Sequence, residues 1–99
     1  MTDKPDSPGR PVAVLVHYAG RVQGVCFRAT AAALARDYPI TGWVKNLRDG
    51  RVQLYAEGPQ DKVQAFLADV RARFRGNIDD EQSEKRSPSG TSTRFEIAH

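Results

Sequence analysis

Cysteine is nearly absent: Cys26 is the one thiol among 99 residues. No disulfide can close within the chain, and a reducing compartment, the cytoplasm, is the expected location. Histidine occurs twice, as His17 and His99. Neither these nor the acidic residues cluster at ligand spacing, so no metal or other cofactor is expected. No apolar run approaches the ~20 residues a bilayer span requires. Residues 1–10 (MTDKPDSPGR) carry acids and prolines where a secretory signal needs an apolar stretch. Membrane association is therefore not expected either. Length excludes more than one sizeable core, because two domains would each sit near the size where burial barely offsets chain entropy.

What is present is a modest positive balance, 15 Lys and Arg against 12 Asp and Glu, a formal +3. Such a surface favours anions, from small phosphates to nucleic acid, without choosing among them. Residues 1–10 read as a flexible leader and 11–99 as a single domain. The run VAVLVHYA at 12–19 is β-branched and apolar at alternate and intervening positions, the pattern of a central strand. GRVQG follows as a tight loop. Phe27, Thr30, Ala31, Leu34 and Tyr38 recur at helical spacing and Pro39 stops the run. ITGWVKNL and RVQLYAE form two strands around Asp49-Gly50, where a tight hairpin turn would set both central residues at positive φ. Val63, Phe66, Leu67, Val70 and Phe74 mark a second helix ended by Gly76. Residues 77–90 are polar and weakly patterned, and RFEIAH at 94–99 offers a short last strand. Strand, helix, strand, strand, helix, strand predicts an α+β, ferredoxin-like (βαββαβ) sandwich, an antiparallel sheet with both helices on one face.

The segment Gly20-Arg21-Val22-Gln23-Gly24-Val25-Cys26-Phe27-Arg28 joins the first strand to the first helix. A glycine-bearing loop entering a helix N-terminus aims backbone N–H groups, with the positive end of the helix dipole, at one spot. Arg28 in the first turn is disfavoured by that dipole unless an anion lies between them, and a guanidinium grips two phosphate oxygens at once. The same residues also make sense as a plain turn followed by an exposed arginine. The segment lacks the Gly-Lys-Ser/Thr ending of a nucleotide-binding P-loop. Cys26 does not fit a thiol phosphatase, whose Cys-x5-Arg spacing would need arginine where Ala32 stands; a small buried cysteine is the expected role. Asn46, just before the turn, reads first as turn chemistry and only second as a polar group held for use.

GRVQGVCFR, followed by TGWVKNLRDGRVQ and then EGP, resembles the acylphosphatases, small ferredoxin-like enzymes that hydrolyse the carboxyl–phosphate bond of acyl phosphates. The resemblance runs from about Val12 to Phe74 and returns at Phe95-Glu96-Ile97. It implies that Arg28 binds the substrate phosphate and that Asn46 positions the attacking water. It implies further that the backbone N–H groups of Val22, Gln23, Gly24, Val25, Cys26 and Phe27 cradle the phosphate. The chemistry is consistent with this: a carboxylate leaves without a strong acid, so positioning and charge neutralisation suffice. The expected partner is a small acyl phosphate, with no nucleic acid, acting on a monomer.

The chain departs from the family at 76–90, more polar than the alternating strand expected there, which leaves a short strand, a frayed edge or a loop. Phe74-Arg75-Gly76 also stands where the family has Gly-Pro after the second helix. Among the remaining residues, His17 is expected to be half-buried structure and Trp43 a packing aromatic. Lys45 and Arg51 would be general positive charge, and Asp49-Gly50 turn chemistry. An RNA-recognition domain is the rival from another class, but it needs an aromatic-rich central strand. RVQLYAE has only Tyr55.

Overall fold

The β-branched run after Arg10 builds the middle of a sheet, as its two-sided apolar pattern requires. In the computed structural model, which describes residues 9–90 and 93–99, it forms β1 (Pro11–Gly20). The expected leader lies outside the described residues apart from Gly9 and Arg10. Then come α1 (Phe27–Ala35), β2 (Thr41–Asn46), β3 (Val52–Pro59), α2 (Gln60–Arg73), β4 (Ile78–Arg86) and β5 (Phe95–Ile97). The sheet order is β4-β1-β3-β2-β5, so β1 and β3 lie inside. Both helices pack on one face: α1 against β2 and β5, α2 against β1 and β3, and each against the other. The fold is ferredoxin-like α+β.

One face of β1 and β3 supplies Val14, Val16, Tyr18, Val52, Leu54 and Ala56 to the core, opposite Phe27, Ala31, Val63, Phe66 and Val70 from the helices. Each fully buried Val, Leu or Phe contributes about 1.5–3 kcal/mol. α1 stops at Ala35, short of Tyr38. The apolar stripe nevertheless continues, because Tyr38 sits edge-on to Phe66 at 6.0 Å and its hydroxyl donates to Asp69 of α2.

Three details differ from the sequence expectation. The polar segment at 77–90 contains a nine-residue strand, β4, which pairs antiparallel with β1 and completes the βαββαβ motif. Its outer edge faces solvent, so it is held by its backbone ladder and carries charge, as an edge strand should. The last strand, β5, is therefore a fifth one, and it runs parallel to β2, so the sheet is mixed. The hairpin between β2 and β3 is also looser than a two-residue turn. The Leu47 N–H donates to the Arg51 carbonyl at 2.8 Å, and the Gly50 N–H to the Leu47 carbonyl at 3.2 Å. Gly50 alone there has positive φ, 94°, the geometry of a type I turn closed by a glycine bulge. Asp49 accepts from the Arg51 N–H and guanidinium, which hold its carboxyl below the usual range.

Residues 87–90 cross part of the face that the helices leave open. Their anchor is Glu57, 8% exposed, which accepts hydrogen bonds from the Tyr55 hydroxyl, the Ser89 N–H and hydroxyl, and the Gly90 N–H. Burial pushes its pKa up, but these donors outweigh it and leave the carboxyl below its ordinary value.

Candidate active site

The loop between β1 and α1 is pinned at both ends. At its start the Arg21 N–H donates to the Asn77 carbonyl at 2.8 Å, and the Asn77 amide returns a bond to the Arg21 carbonyl at 3.1 Å. Val22 plugs into the core. The Gln23 side-chain amide then donates to two carbonyls of the β2–β3 turn, Leu47 at 2.8 Å and Arg51 at 2.9 Å. The loop is thereby fastened beside Asn46, the last residue of β2. Sequence reasoning had placed only the Gln23 backbone at the site and missed this side-chain clamp.

Gly24 (φ 76°) and Cys26 (φ 61°) both take left-handed conformations, with Val25 between them at negative φ. Such alternation turns successive N–H groups toward one concavity, an anion-binding arrangement. For Gly24 the conformation is free, but for a cysteine it costs of order 1 kcal/mol or more. No acceptor among the described residues takes a bond from the N–H groups of Val22, Gln23, Gly24, Val25, Cys26 or Phe27. Nor does Cys26 cap α1 with its side chain, and the first turn holds no acid. In α2, by contrast, Asp61 stands in the first turn and Arg71 and Arg73 in the last, as the dipole favours. The start of α1 is thus left electropositive and unsatisfied.

Of these loop residues, Val22, Gly24, Cys26 and Phe27 border a hollow of about 430 Å³, lined also by Arg28, Ala29, Asn46, Ile97 and His99. Arg28 and Asn46, 18 positions apart in sequence, meet there. Gln23 and Val25 do not line it: Gln23 turns to the hairpin, and Val25 packs half-buried on the core. Cys26 is exposed, which corrects the expectation of a buried cysteine: its left-handed backbone swings the side chain out of the core. The Arg28 Nη1 lies 3.4 Å from the Ala98 carbonyl and 3.5 Å from His99 Nδ1. The Ala98 N–H in turn donates to the Val44 carbonyl at 2.8 Å, which brings residues 98 and 99 to the mouth. Ala29, Ile97 and His99 are lining residues that the sequence reading did not assign to the site. For Ile97 and His99 the only signal was the short apolar pattern of RFEIAH.

The family model described as Acylphosphatase matches residues 14–97. The chain belongs to the acylphosphatase family. A Methylococcus capsulatus relative named Acylphosphatase is 60% identical over 55 residues, which cover 56% of this chain and 60% of that protein's own length. A Haloarcula marismortui relative of the same name is 42% identical over 76 residues, 76% of this chain and 84% of the relative. Among solved structures, an acylphosphatase from Bacillus subtilis superposes with a TM-score of 0.79 at 31% identity. It covers 89% of this chain and 99% of that one.

In this family member the other residues raised from sequence stand apart from the hollow. His17 is half-buried mid-strand with Nε2 2.9 Å from the Gln53 amide nitrogen. Trp43 stacks on Tyr55 on the open face, centroids 5.9 Å apart, and Lys45 Nζ lies 5.7 Å above its ring. Among the described residues, no helix is long and apolar enough to cross a membrane.

Proposed function

We propose that this chain hydrolyses the carboxyl–phosphate bond of small acyl phosphates by direct, in-line attack of water on phosphorus. The observation that carries this reading is the single hollow shared by Arg28, Asn46 and the start of α1. Arg28 and the backbone N–H groups of Val22, Gly24, Cys26 and Phe27, which line the hollow, hold the phosphoryl oxygens. They neutralise the charge that spreads over those oxygens as the bond loosens. The Asn46 amide, with no hydrogen-bond partner among the described residues, accepts from the attacking water and holds it opposite the leaving oxygen. Water's oxygen bonds to phosphorus while the phosphorus–acyl oxygen bond breaks. The acyl carboxylate departs with the electron pair, and the water's proton passes to phosphate or solvent. The same reading takes the chain as a cytoplasmic monomer that needs no cofactor and no nucleic acid.

The test is benzoyl phosphate hydrolysis with a chelator present, comparing wild type with Arg28→Gln and Asn46→Ala. Arg28→Gln loses binding of inorganic phosphate. Asn46→Ala keeps it and loses turnover by about 10²-fold or more. Normal turnover in Asn46→Ala would remove its role, and activity abolished by the chelator would require a metal.

A further inference from the structure

The hollow at Arg28 does not end at the phosphate cradle. A second hollow of about 540 Å³ lies between α1 and β5, lined in part by Ala32, Ala35, Arg36, Phe95 and Ile97. The two meet at Ile97, which lines both. Ile97 is also the one exposed large hydrophobic residue among those described, 38% accessible at this junction. An apolar ligand body passing between the hollows would cover it. The helix side contributes only Ala29, Ala32 and Ala35 between the two arginines, which leaves room over the floor. At the far end stands Arg36, eight residues beyond Arg28 and hence about 12 Å further along the helix axis.

The charges at that far end differ in availability. Arg94 already faces Glu96 at 3.4 Å. Arg36 has no ion pair among the described residues. Its main-chain N–H closes the helix by donating to the Ala33 carbonyl, and the residue lines the second hollow.

We infer that this groove selects acyl phosphates whose acyl body is apolar, extended and terminated by a second anion. The phosphate sits at Arg28, the body lies on the alanine floor against Ile97 and Phe95, and the distal carboxylate meets Arg36. This rests on the hydrolytic reading above and adds a specificity to it. Arg36 is a specificity-determining residue, outside the group that touches the phosphoryl centre.

The experiment compares monoacyl phosphates of dicarboxylic acids with unbranched alkanoyl phosphates of matched length, from succinyl through suberyl and sebacyl. Acetyl phosphate serves as the baseline. The terminal carboxylate raises kcat/KM about three- to tenfold for the suberyl and sebacyl compounds, as a partly exposed charge-assisted contact does, and leaves the succinyl compound unchanged. Arg36→Gln erases that gain and leaves acetyl phosphate turnover as it was. Equal kcat/KM within matched long pairs, or a gain that survives in Arg36→Gln, overturns the proposal. Calorimetry with alkyl and ω-carboxyalkyl phosphonates, which cannot be hydrolysed, separates the two readings. Should acetyl phosphate not be turned over, the hydrolytic reading fails. The groove then stands or falls on whether the distal carboxylate tightens phosphonate binding by the same factor in wild type and not in Arg36→Gln.

Discussion

The guanidinium of Arg28 lies 3.4 Å from the carbonyl oxygen of Ala98, 70 residues away in sequence. An arginine at the start of a helix is repelled by the dipole and free to swing into solvent. Here a carbonyl just past the end of β5 restrains it and keeps it over the loop. Deletion of residues 98 and 99 is expected to lower kcat/KM for benzoyl phosphate by about tenfold, as a misaimed positioning group does. Arg28→Lys, which loses the two-pronged grip, is expected to lose about 10²-fold. Steady-state kinetics with inorganic phosphate as competitor checks both, and a truncated chain with unaltered kinetics would refute the restraint.

Gln23 connects the β1–α1 loop to the turn that follows Asn46. Its two part-buried bonds to Leu47 and Arg51 make it a positioning residue. Gln23→Ala removes two hydrogen bonds, while the Leu47 carbonyl keeps its Gly50 donor and the Arg51 carbonyl its Leu47 donor, and is expected to cost about 1–3 kcal/mol in unfolding free energy. It should also reduce kcat more than it weakens phosphate binding, because the loop and Asn46 lose their common anchor. Urea titration together with kcat and phosphate affinity gives the answer; a stability loss with kcat intact would make Gln23 purely structural.

Tyr18 is fully buried against Phe27, and its hydroxyl has no hydrogen-bond partner among the described residues. Burial, reinforced by nearby Glu81, pushes its ionisation well above the usual tyrosine range. Because the folded pKa is raised, the stabilisation is complete below the unfolded value of about 10 and is lost as pH rises beyond it. Tyr18→Phe is expected to be neutral or stabilising by up to about 1 kcal/mol at pH 7, and to flatten the alkaline decline. Unfolding midpoints at neutral and alkaline pH are the measurement.

Glu57 gives the opposite sign. Its folded pKa is depressed, so its contribution is present above the unfolded value of about 4.3 and is lost as pH falls through the folded one. Trp43, the chain's single tryptophan, lines the same hollow as Ser87 and Ser89. Its emission is therefore expected to shift to the red on acidification as the 87–90 segment releases. Glu57→Gln should show that shift already at neutral pH and lose about 1–3 kcal/mol. An acid-insensitive Trp43 signal would contradict the anchoring role.

Much of this architecture was legible before the structure, for a definite reason. Val14, Val16, Leu54, Phe66 and Val70 are buried by one another, and burial leaves periodicity in sequence. The β1–α1 segment was legible because glycine and an arginine at a helix start are locally costly choices. Strand β4 was not, since edge residues such as Asp80, Gln82 and Glu84 remain exposed and no alternation survives. Nor was the route by which Ala98 and His99 reach Arg28. That contact comes from the parallel pairing of β5 with β2, and nothing in RFEIAH encodes which strand it joins. Asn46 needed the resemblance, because as a local signal it is indistinguishable from turn chemistry.

The most direct test of the central claim is the fate of isotope when benzoyl phosphate is hydrolysed by the wild-type chain in oxygen-18 water. Attack on phosphorus at the Arg28–Asn46 hollow predicts that the label appears in inorganic phosphate and not in benzoate. Label in benzoate, or no enzyme-dependent hydrolysis at all, would contradict it.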